Sequence, residues 1–117
     1  MKPAALEIAH EQPAPGVAVI ALNGKVMLGA NPSAIEELIV SLLAQGVRKI
    51  VVDLAGVTHI DSTGIGVLIA SLGKVTQAGG ALAMAGASGV VREGFRVTRL
   101  DRVFRFYADR AAALVAV

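Results

Sequence analysis

The sequence has no cysteine, no tryptophan and only 3% aromatic residues. The absence of cysteine excludes disulfide bonds, thiol catalysis and cysteine metal sites, and it is compatible with the cytoplasmic location that we expect. Because 55% of the 117 residues are nevertheless apolar, the core must consist mainly of valine, leucine, isoleucine and alanine. This length and composition predict a single compact α/β domain over residues 1–117, with a buried sheet.

Long uninterrupted apolar runs are also missing. The N-terminus has Glu7 early in the chain and no apolar run of signal-peptide length, so export by that route is not expected. The longest uncharged stretch, residues 75–91, is interrupted by Gln77, Ser88 and several glycines, which favours helix end, strand and loop over a membrane span. We therefore expect a soluble protein that does not insert into a membrane.

Sequence patterns typical of enzymes and cofactor sites are incomplete. The G-x-G at positions 64–66 lacks a third glycine at the dinucleotide-binding spacing, and no Walker-type Lys-Ser/Thr follows a glycine loop. His59, Asp61 and Ser62 are the residue types of a hydrolytic triad, but they lie too close in sequence for a linear relay with an oriented base. His10 has no second ligand at metal spacing. We expect no enzyme activity, no cofactor and no metal site.

Positive charge is concentrated near the C-terminus. The net charge is only +2, but six arginines face three carboxylates between positions 92 and 110. If residues 90–100 are helical, Arg92, Arg96 and Arg99 line one face. Two interpretations stay open for this face, a solvated helix surface and a surface for an acidic partner. Nucleic acid is not expected as a partner, because aromatic residues for base stacking are nearly missing.

The most informative stretch is Ile50–Gly73. Residues 50–54 predict a buried strand, and apolar residues then recur at helical spacing. Between these elements, Asp61, Ser62 and Thr63 are residue types that cap helix N-termini. A serine hydroxyl at the positive end of a helix dipole suits a phosphate, whereas the Asp61 carboxylate repels one, so capping alone and phosphate placement are both open. The face predicted for this helix consists of Ile65, Leu68, Ile69, Leu72 and Val75.

The remaining pattern predicts the element order strand, strand, helix, strand, helix, strand, helix, strand, helix. The first two strands should be antiparallel neighbours and the later ones parallel. The predicted first two strands are Leu6–His10 and Val17–Leu22, joined by residues 11–16. A loop is predicted from Asn23-Gly24 to Asn31-Pro32-Ser33. The helix that follows should be capped by Asn31 or Ser33 and should end at Gly46. The predicted elements continue with a strand at 81–85, a Ser88-capped helix through Phe95, an edge strand at 103–106, and an Asp109-capped helix at 111–117.

The run Ile60-Asp61-Ser62-Thr63-Gly64-Ile65-Gly66-Val67-Leu68, after a buried strand and a short loop, resembles the signature of the STAS family. That family is typified by bacterial anti-sigma factor antagonists, and the resemblance covers residues 5–117. It implies a small, mainly parallel sheet of about five strands with helices packed against it. It also implies that a partner kinase phosphorylates Ser62, with Thr63 as the second choice. The implied partner is an anti-sigma factor/serine kinase, bound by a monomer or weak dimer.

The expected partner surface lies around Ser62. If the strands are parallel, the loops 24–30 and 58–64 and the turn before Ser88 should meet at one end of the sheet. The residues expected to contact the partner are Met27, Asp61, Ser62, Thr63, Gly64, Ile65 and Ser88.

One segment departs from the family pattern. Members phosphorylated by such a kinase often have Gly-Glu-Leu/Ile-Asp after the second strand, where this chain has Gly24-Lys25-Val26-Met27. A cation and a thioether in place of two carboxylates, together with the apolar stretch 26–30, favour an alternative function. That alternative is an adaptor subunit of a membrane transport assembly, such as a lipid-transport ATPase complex, or of a multi-protein signalling complex. Ser62 favours the regulatory function that the resemblance implies, in which the unphosphorylated protein binds the anti-sigma factor/serine kinase and so releases a sigma factor.

Overall fold

The computed structural model describes residues 5–117, which form a five-stranded sheet with four α-helices. The strands are β1 (Leu6–Ala14), β2 (Val17–Val26), β3 (Lys49–Ile60), β4 (Ala81–Ala85) and β5 (Arg105–Tyr107). The helices are α1 (Ser33–Ala44), α2 (Ser62–Gln77), α3 (Gly89–Val97) and α4 (Arg110–Ala116), with one 3-10 turn at Leu100–Arg102. The sheet order is β1-β2-β3-β4-β5, antiparallel between β1 and β2 and parallel elsewhere. The expected mainly parallel sheet and element order are confirmed.

Both faces of the sheet are covered by helices, because successive side chains of a strand point to opposite faces. In β3, Ile50 and Val52 belong to the larger core, which also contains buried residues of α1, α2 and α3. Val51 points the other way and packs with the small residues Ala83 and Ala113 under α4. Small residues on β4 therefore let α4 lie close to the sheet.

A salt-bridge network holds α4 in place. The Arg110 guanidinium donates to the Asp53 carboxylate from Nε (2.9 Å) and contacts it from Nη2 (2.8 Å), and its Nη1 lies 3.0 Å from Glu11 Oε1. One side chain thus joins α4 to β3 and β1. Asp109 caps the helix as expected, since its Oδ1 accepts the Ala112 amide at 2.8 Å.

The hairpin of β1 and β2 is tighter than predicted. Instead of a six-residue link, β1 continues to Ala14 and only Pro15 and Gly16 lie between the strands. Pro13 is accommodated because β1 is an edge strand, where a missing N–H need not remove a ladder bond. A register shift between Glu11 and Ala14 marks a bulge at this place.

The prediction of a loop beginning at Asn23-Gly24 is wrong, because β2 continues to Val26. Gly24 has φ +103° and lies against the Ala5 carbonyl oxygen, where an added Cβ would come within 2.2 Å. The Lys25 amide donates to that same oxygen at 2.8 Å. Gly24 therefore serves a bulge within the strand and not a turn, and local sequence does not distinguish the two.

The short loop expected after residue 54 is also strand, because β3 runs on to Ile60. The register is offset where Asn23 pairs with Gly56, and beyond it Lys25 pairs with His59 and Val26 with Ile60. The irregular register interrupts the apolar alternation that would have indicated a longer strand. The longer strand brings the ends of β2 and β3 to the same level.

Several helix boundaries differ from the sequence expectation. Pro32 occupies the N-cap of α1 with no side-chain cap bond, so neither Asn31 nor Ser33 caps this helix. Gly46 follows the end of α1 with φ +93°, as expected. In α2, Ile69 is 39% exposed and lies off the buried face that was predicted to include it.

The arginine face predicted for residues 90–100 is only partly helical. Because α3 ends at Val97 and Arg99 has a left-handed backbone with φ 60°, Arg92, Arg96 and Arg99 do not form one helix face. The last strand begins at Arg105, since Phe104 turns into the core at 4% exposure. Among residues 5–117, no helix is both long and apolar enough to cross a membrane.

Candidate functional site

The candidate site lies where β3 ends and α2 begins. Asp61 is the N-cap of α2, with an extended backbone, and its Oδ1 accepts the Gly64 amide at 2.9 Å. Ser62 is the first residue of this 16-residue helix and is exposed. Asp61 therefore has the capping role, and the Ser62 hydroxyl stands at the positive end of the helix dipole.

The second oxygen of the Asp61 carboxylate holds the loop between β2 and α1. Its Oδ2 accepts the backbone N–H of Leu28 at 3.0 Å. The Gly64 bond first, and the Leu28 bond next, lower the pKa of Asp61 below its usual 3.8. One ionised side chain thus fixes the start of α2 and brings the 27–31 loop beside Ser62.

Gly64 allows α2 to begin close to β2. A Cβ at position 64 would lie 2.0 Å from the Val26 carbonyl oxygen and 2.8 Å from Val26 Cγ1, well inside van der Waals contact. The Asp61 amide contacts the same carbonyl oxygen at 3.4 Å. Gly66, two residues further along α2, has nothing within 4 Å of an added Cβ. Close packing therefore requires glycine at position 64 but not at position 66.

The structure brings most of the expected partner residues together and separates others. Met27 is half-buried beside the loop that Asp61 holds, and Thr63 is half-buried in the first turn of α2. Ile65 is only 6% exposed, so its side chain fastens α2 to the core and presents little surface to a partner. Ser88 is exposed and occupies the N-cap of α3, but its side chain makes no cap hydrogen bond, contrary to the prediction. The preceding strand, β4, ends at Ala85, which pairs with Asp53 and not with the end of β3 beside Ser62.

The sequence predicted the loop 24–30 at the site without singling out Leu28, which is 78% exposed and donates its backbone amide to Asp61. A single leucine in a loop has no periodicity, and the atom that bonds Asp61 is a backbone nitrogen, so the sequence does not show which residue of the loop Asp61 holds. Lys25 pairs with His59 across β2 and β3, on the edge of the same site.

Two polar side chains, His59 and Thr58, lie near the end of β3, just before Asp61. His59 Nδ1 lies 2.9 Å from the hydroxyl of Thr58, and that hydroxyl donates to the Gly24 carbonyl oxygen at 3.2 Å. The imidazole is thus oriented by its sequence neighbour and the β2 bulge. In the part of the chain that the structure describes, no group of three His, Cys, Asp or Glu side chains could hold a metal ion. The site offers an exposed hydroxyl, an ionised cap and an exposed aliphatic side chain.

The Asp61 cap gives an acid-dependent prediction. We expect Asp61→Asn to be less stable than the parent near neutral pH, because an amide nitrogen cannot accept the Leu28 N–H. Since the pKa of Asp61 is depressed in the folded state, its contribution is present above the unfolded pKa and is lost as pH falls through the folded pKa. The difference in melting temperature should therefore shrink as the pH falls below about 4. Melting curves across this range check it, and a constant difference would contradict the role of the ionised carboxylate.

Comparison with known proteins identifies the family. Residues 11–113 match the STAS domain. The chain is 31% identical over 102 residues to the anti-sigma-F factor antagonist RsfB of Mycobacterium tuberculosis, covering 87% of this chain and 82% of that protein. Its structure matches that of an anti-sigma factor antagonist from Mycobacterium paratuberculosis with a TM-score of 0.84 at 27% identity, over 99% of this chain and 97% of that one. The fold is shared with Bacillus SpoIIAA. Its unphosphorylated form matches with a TM-score of 0.72 at 18% identity, over 94% of this chain and 96% of that one. Its phosphorylated form matches with a TM-score of 0.72 at 19% identity, over 95% of this chain and 100% of that one. The chain therefore belongs to the STAS family.

Proposed function

We propose that this protein is an anti-sigma factor antagonist that binds an anti-sigma factor with serine kinase activity and is released when Ser62 is phosphorylated. The observation behind this proposal is the exposed Ser62 hydroxyl at the N-terminus of α2, beside the loop that Asp61 holds. The similarity to RsfB, a protein named for the same activity, supports it. In this role the domain is a cytoplasmic regulatory module without turnover of its own.

The charge of a phosphate provides the switch. Phosphorylation adds about −1.5 to −2 charges at neutral pH. The positive end of the α2 dipole stabilises a negative charge by only about 0.3–1 kcal/mol. SpoIIAA has this fold in both its phosphorylated and unphosphorylated forms, which supports a fold that can carry the modification. A partner that covers Ser62 must instead desolvate the new charge, which lies next to the ionised Asp61.

The docking surface comprises Ser62, Leu28 and Met27, with Thr63 at its margin. A charge at Leu28 is expected to weaken partner binding at least tenfold, because a side chain that is 78% exposed in the free protein would be covered in the complex. Val115 is the matched control, since it is an aliphatic residue 88% exposed on α4, over the other face of the sheet. Ile65 is unsuitable for this test because a charge there would enter the core.

Titration of the partner with Leu28→Glu and Val115→Glu measures the difference. Val115→Glu should bind within about twofold of the parent, a difference well below 1 kcal/mol. Equal losses in the two variants would contradict a docking surface at this end of the sheet.

The adaptor alternative has less support. The relatives that match most of this chain at 27% identity or more are anti-sigma factor antagonists. The Lys25 and Met27 departure is better accounted for by a partner whose facing residues differ in charge from those of other family members. Phosphorylation at Thr63 is also less favoured, because its side chain is half-buried while Ser62 is exposed.

Affinity capture from the native organism tests the proposal, with the parent and Ser62→Asp proteins as paired baits. An anti-sigma factor should be enriched on the parent and reduced on Ser62→Asp. Subunits of a membrane transport complex, captured equally by both baits, would instead establish the adaptor function.

A further inference from the structure

A second exposed surface lies at the C-terminal end of α3 and in the segment that follows it. It is formed by Arg99, Arg102 and Arg105 together with Val97 and Val103, and we call it the arginine surface. The register places Arg105 beside Ala83 and Ala83 beside Val51. Val51 precedes Asp61 by roughly 30 Å of strand at about 3.3 Å per residue. Arg105 is therefore remote from Ser62, whereas α3 passes closer to it, since a Cβ at Gly94 would lie 3.2 Å from Ile60 Cγ2.

The other two arginines of this region are already engaged. The Arg96 guanidinium donates to both carboxylate oxygens of Glu93, and the Arg92 guanidinium lies 4.2 Å from the centre of the Phe106 ring. Within residues 5–117, the salt bridges do not include Arg99, Arg102 or Arg105. Three exposed cations therefore remain unneutralised by close pairing.

Asp101 is the carboxylate that lies among these cations. A cleft of about 290 Å³ is lined by Arg96, Arg99, Asp101 and Arg102. Asp101 also acts on Arg96, whose pKa is raised first by the Glu93 hydrogen bond and to a smaller extent by Asp101. One aspartate cannot balance three further arginines, so the cleft and its surroundings retain a surplus of positive charge.

The backbone beneath the arginine surface is firmly supported. The Thr98 hydroxyl donates to the Gly94 carbonyl oxygen at 2.8 Å at the end of α3. Phe95, Phe104 and Phe106 form an edge-to-face cluster with ring centroids 5.2–6.3 Å apart. All three phenylalanines of the chain thus pack together beneath this segment. A preorganised surface loses less conformational entropy when it binds.

We propose that the arginine surface is a second docking surface, and that it binds an acidic segment of a partner protein which also contains aliphatic side chains. Guanidinium groups match carboxylates bidentately. Val97 is 65% exposed and Val103 is 48% exposed between the arginines, so both provide apolar contacts that a purely electrostatic site would not need. Nucleic acid fits less well, because Phe95 and Phe104 are buried and unavailable for base stacking. This function goes beyond the Ser62 switch and does not depend on it.

Fluorescence anisotropy tests the proposal with a labelled synthetic peptide of alternating glutamate and leucine. The full chain with Arg99→Gln and Arg102→Gln should bind the peptide at least tenfold more weakly than the parent. A charge-matched control, Lys25→Gln with Lys74→Gln, should bind within twofold. Ser62→Asp should also bind within twofold, which separates this surface from the proposed switch.

Three outcomes would overturn the proposal. The first is equal peptide binding by the arginine variant and the parent. The second is an equal loss in the lysine control, which would indicate a response to net charge alone. The third is tighter binding of a thymidine oligonucleotide or of phosphatidylserine vesicles than of the peptide. Melting curves on each variant establish that it is folded.

Discussion

Ser62→Asp is expected to weaken binding of the anti-sigma factor at least tenfold while leaving the melting temperature close to that of the parent. The exposed position of Ser62 at the first residue of α2 explains the second half of this result, because a carboxylate there complements the helix dipole. The first half follows from the interface, where an unpaired charge beside Asp61 costs several kcal/mol to cover. Each 1.4 kcal/mol lowers affinity about tenfold.

Two variants make this experiment specific. Ser62→Ala should keep the parent affinity and resist phosphorylation. Ser33→Asp places the same charge at another exposed serine that is also the first residue of a helix, α1, and should bind as the parent does. Calorimetric titration and melting curves provide both readouts. Parent-like affinity of Ser62→Asp would refute the switch.

Gly64→Ala and Gly66→Ala are expected to change stability in opposite directions. An added Cβ at position 64 meets the Val26 carbonyl oxygen, a backbone atom that cannot move aside without displacing β2 or α2. Overpacking of this kind costs about 1–3 kcal/mol and occasionally more. At position 66 the Cβ enters open space, and replacing a mid-helix glycine with alanine should stabilise the protein by up to about 1 kcal/mol.

Thermal melts of the two alanine variants measure whether stability falls in one and rises in the other. For a domain of this size each kcal/mol shifts the melting temperature by roughly 4 °C. Gly64→Ala should melt lower than the parent and Gly66→Ala somewhat higher. A lower melting temperature for both would indicate that glycine matters in this helix for reasons other than the Val26 contact. A Gly64→Ala protein that folds should also bind its partner less well, because Asp61 holds both α2 and the Leu28 loop.

The sequence predicted the elements whose signals are local. The cap at Asp61 and the cap at Asp109 could be predicted because a short polar side chain directly precedes an apolar helical pattern. The strand at residues 81–85 could be predicted because two glycines before it mark its start, and the structure confirms it. The connections between the elements predicted an antiparallel first pair and parallel later strands, and the STAS resemblance implied the same architecture.

The sequence could not predict the features that depend on contacts between distant segments. The strand β3 extends to Ile60 because β2 continues past Gly24, and each extension depends on the other. The end of α3 at Val97 reflects a threonine side chain that bonds back into the helix and a left-handed Arg99, both conditional on the phenylalanine cluster below. Leu28 enters the site through a backbone amide, which has no sequence signature.

Mapping of phosphate on this protein, after incubation with the captured anti-sigma factor and ATP, is the most direct measurement of the central claim. Mass spectrometry of the peptides should find one phosphate at Ser62, and none on the Ser62→Ala variant. Absence of phosphate from the parent, or equal phosphorylation of the parent and Ser62→Ala at Thr63, would contradict the switch at Ser62.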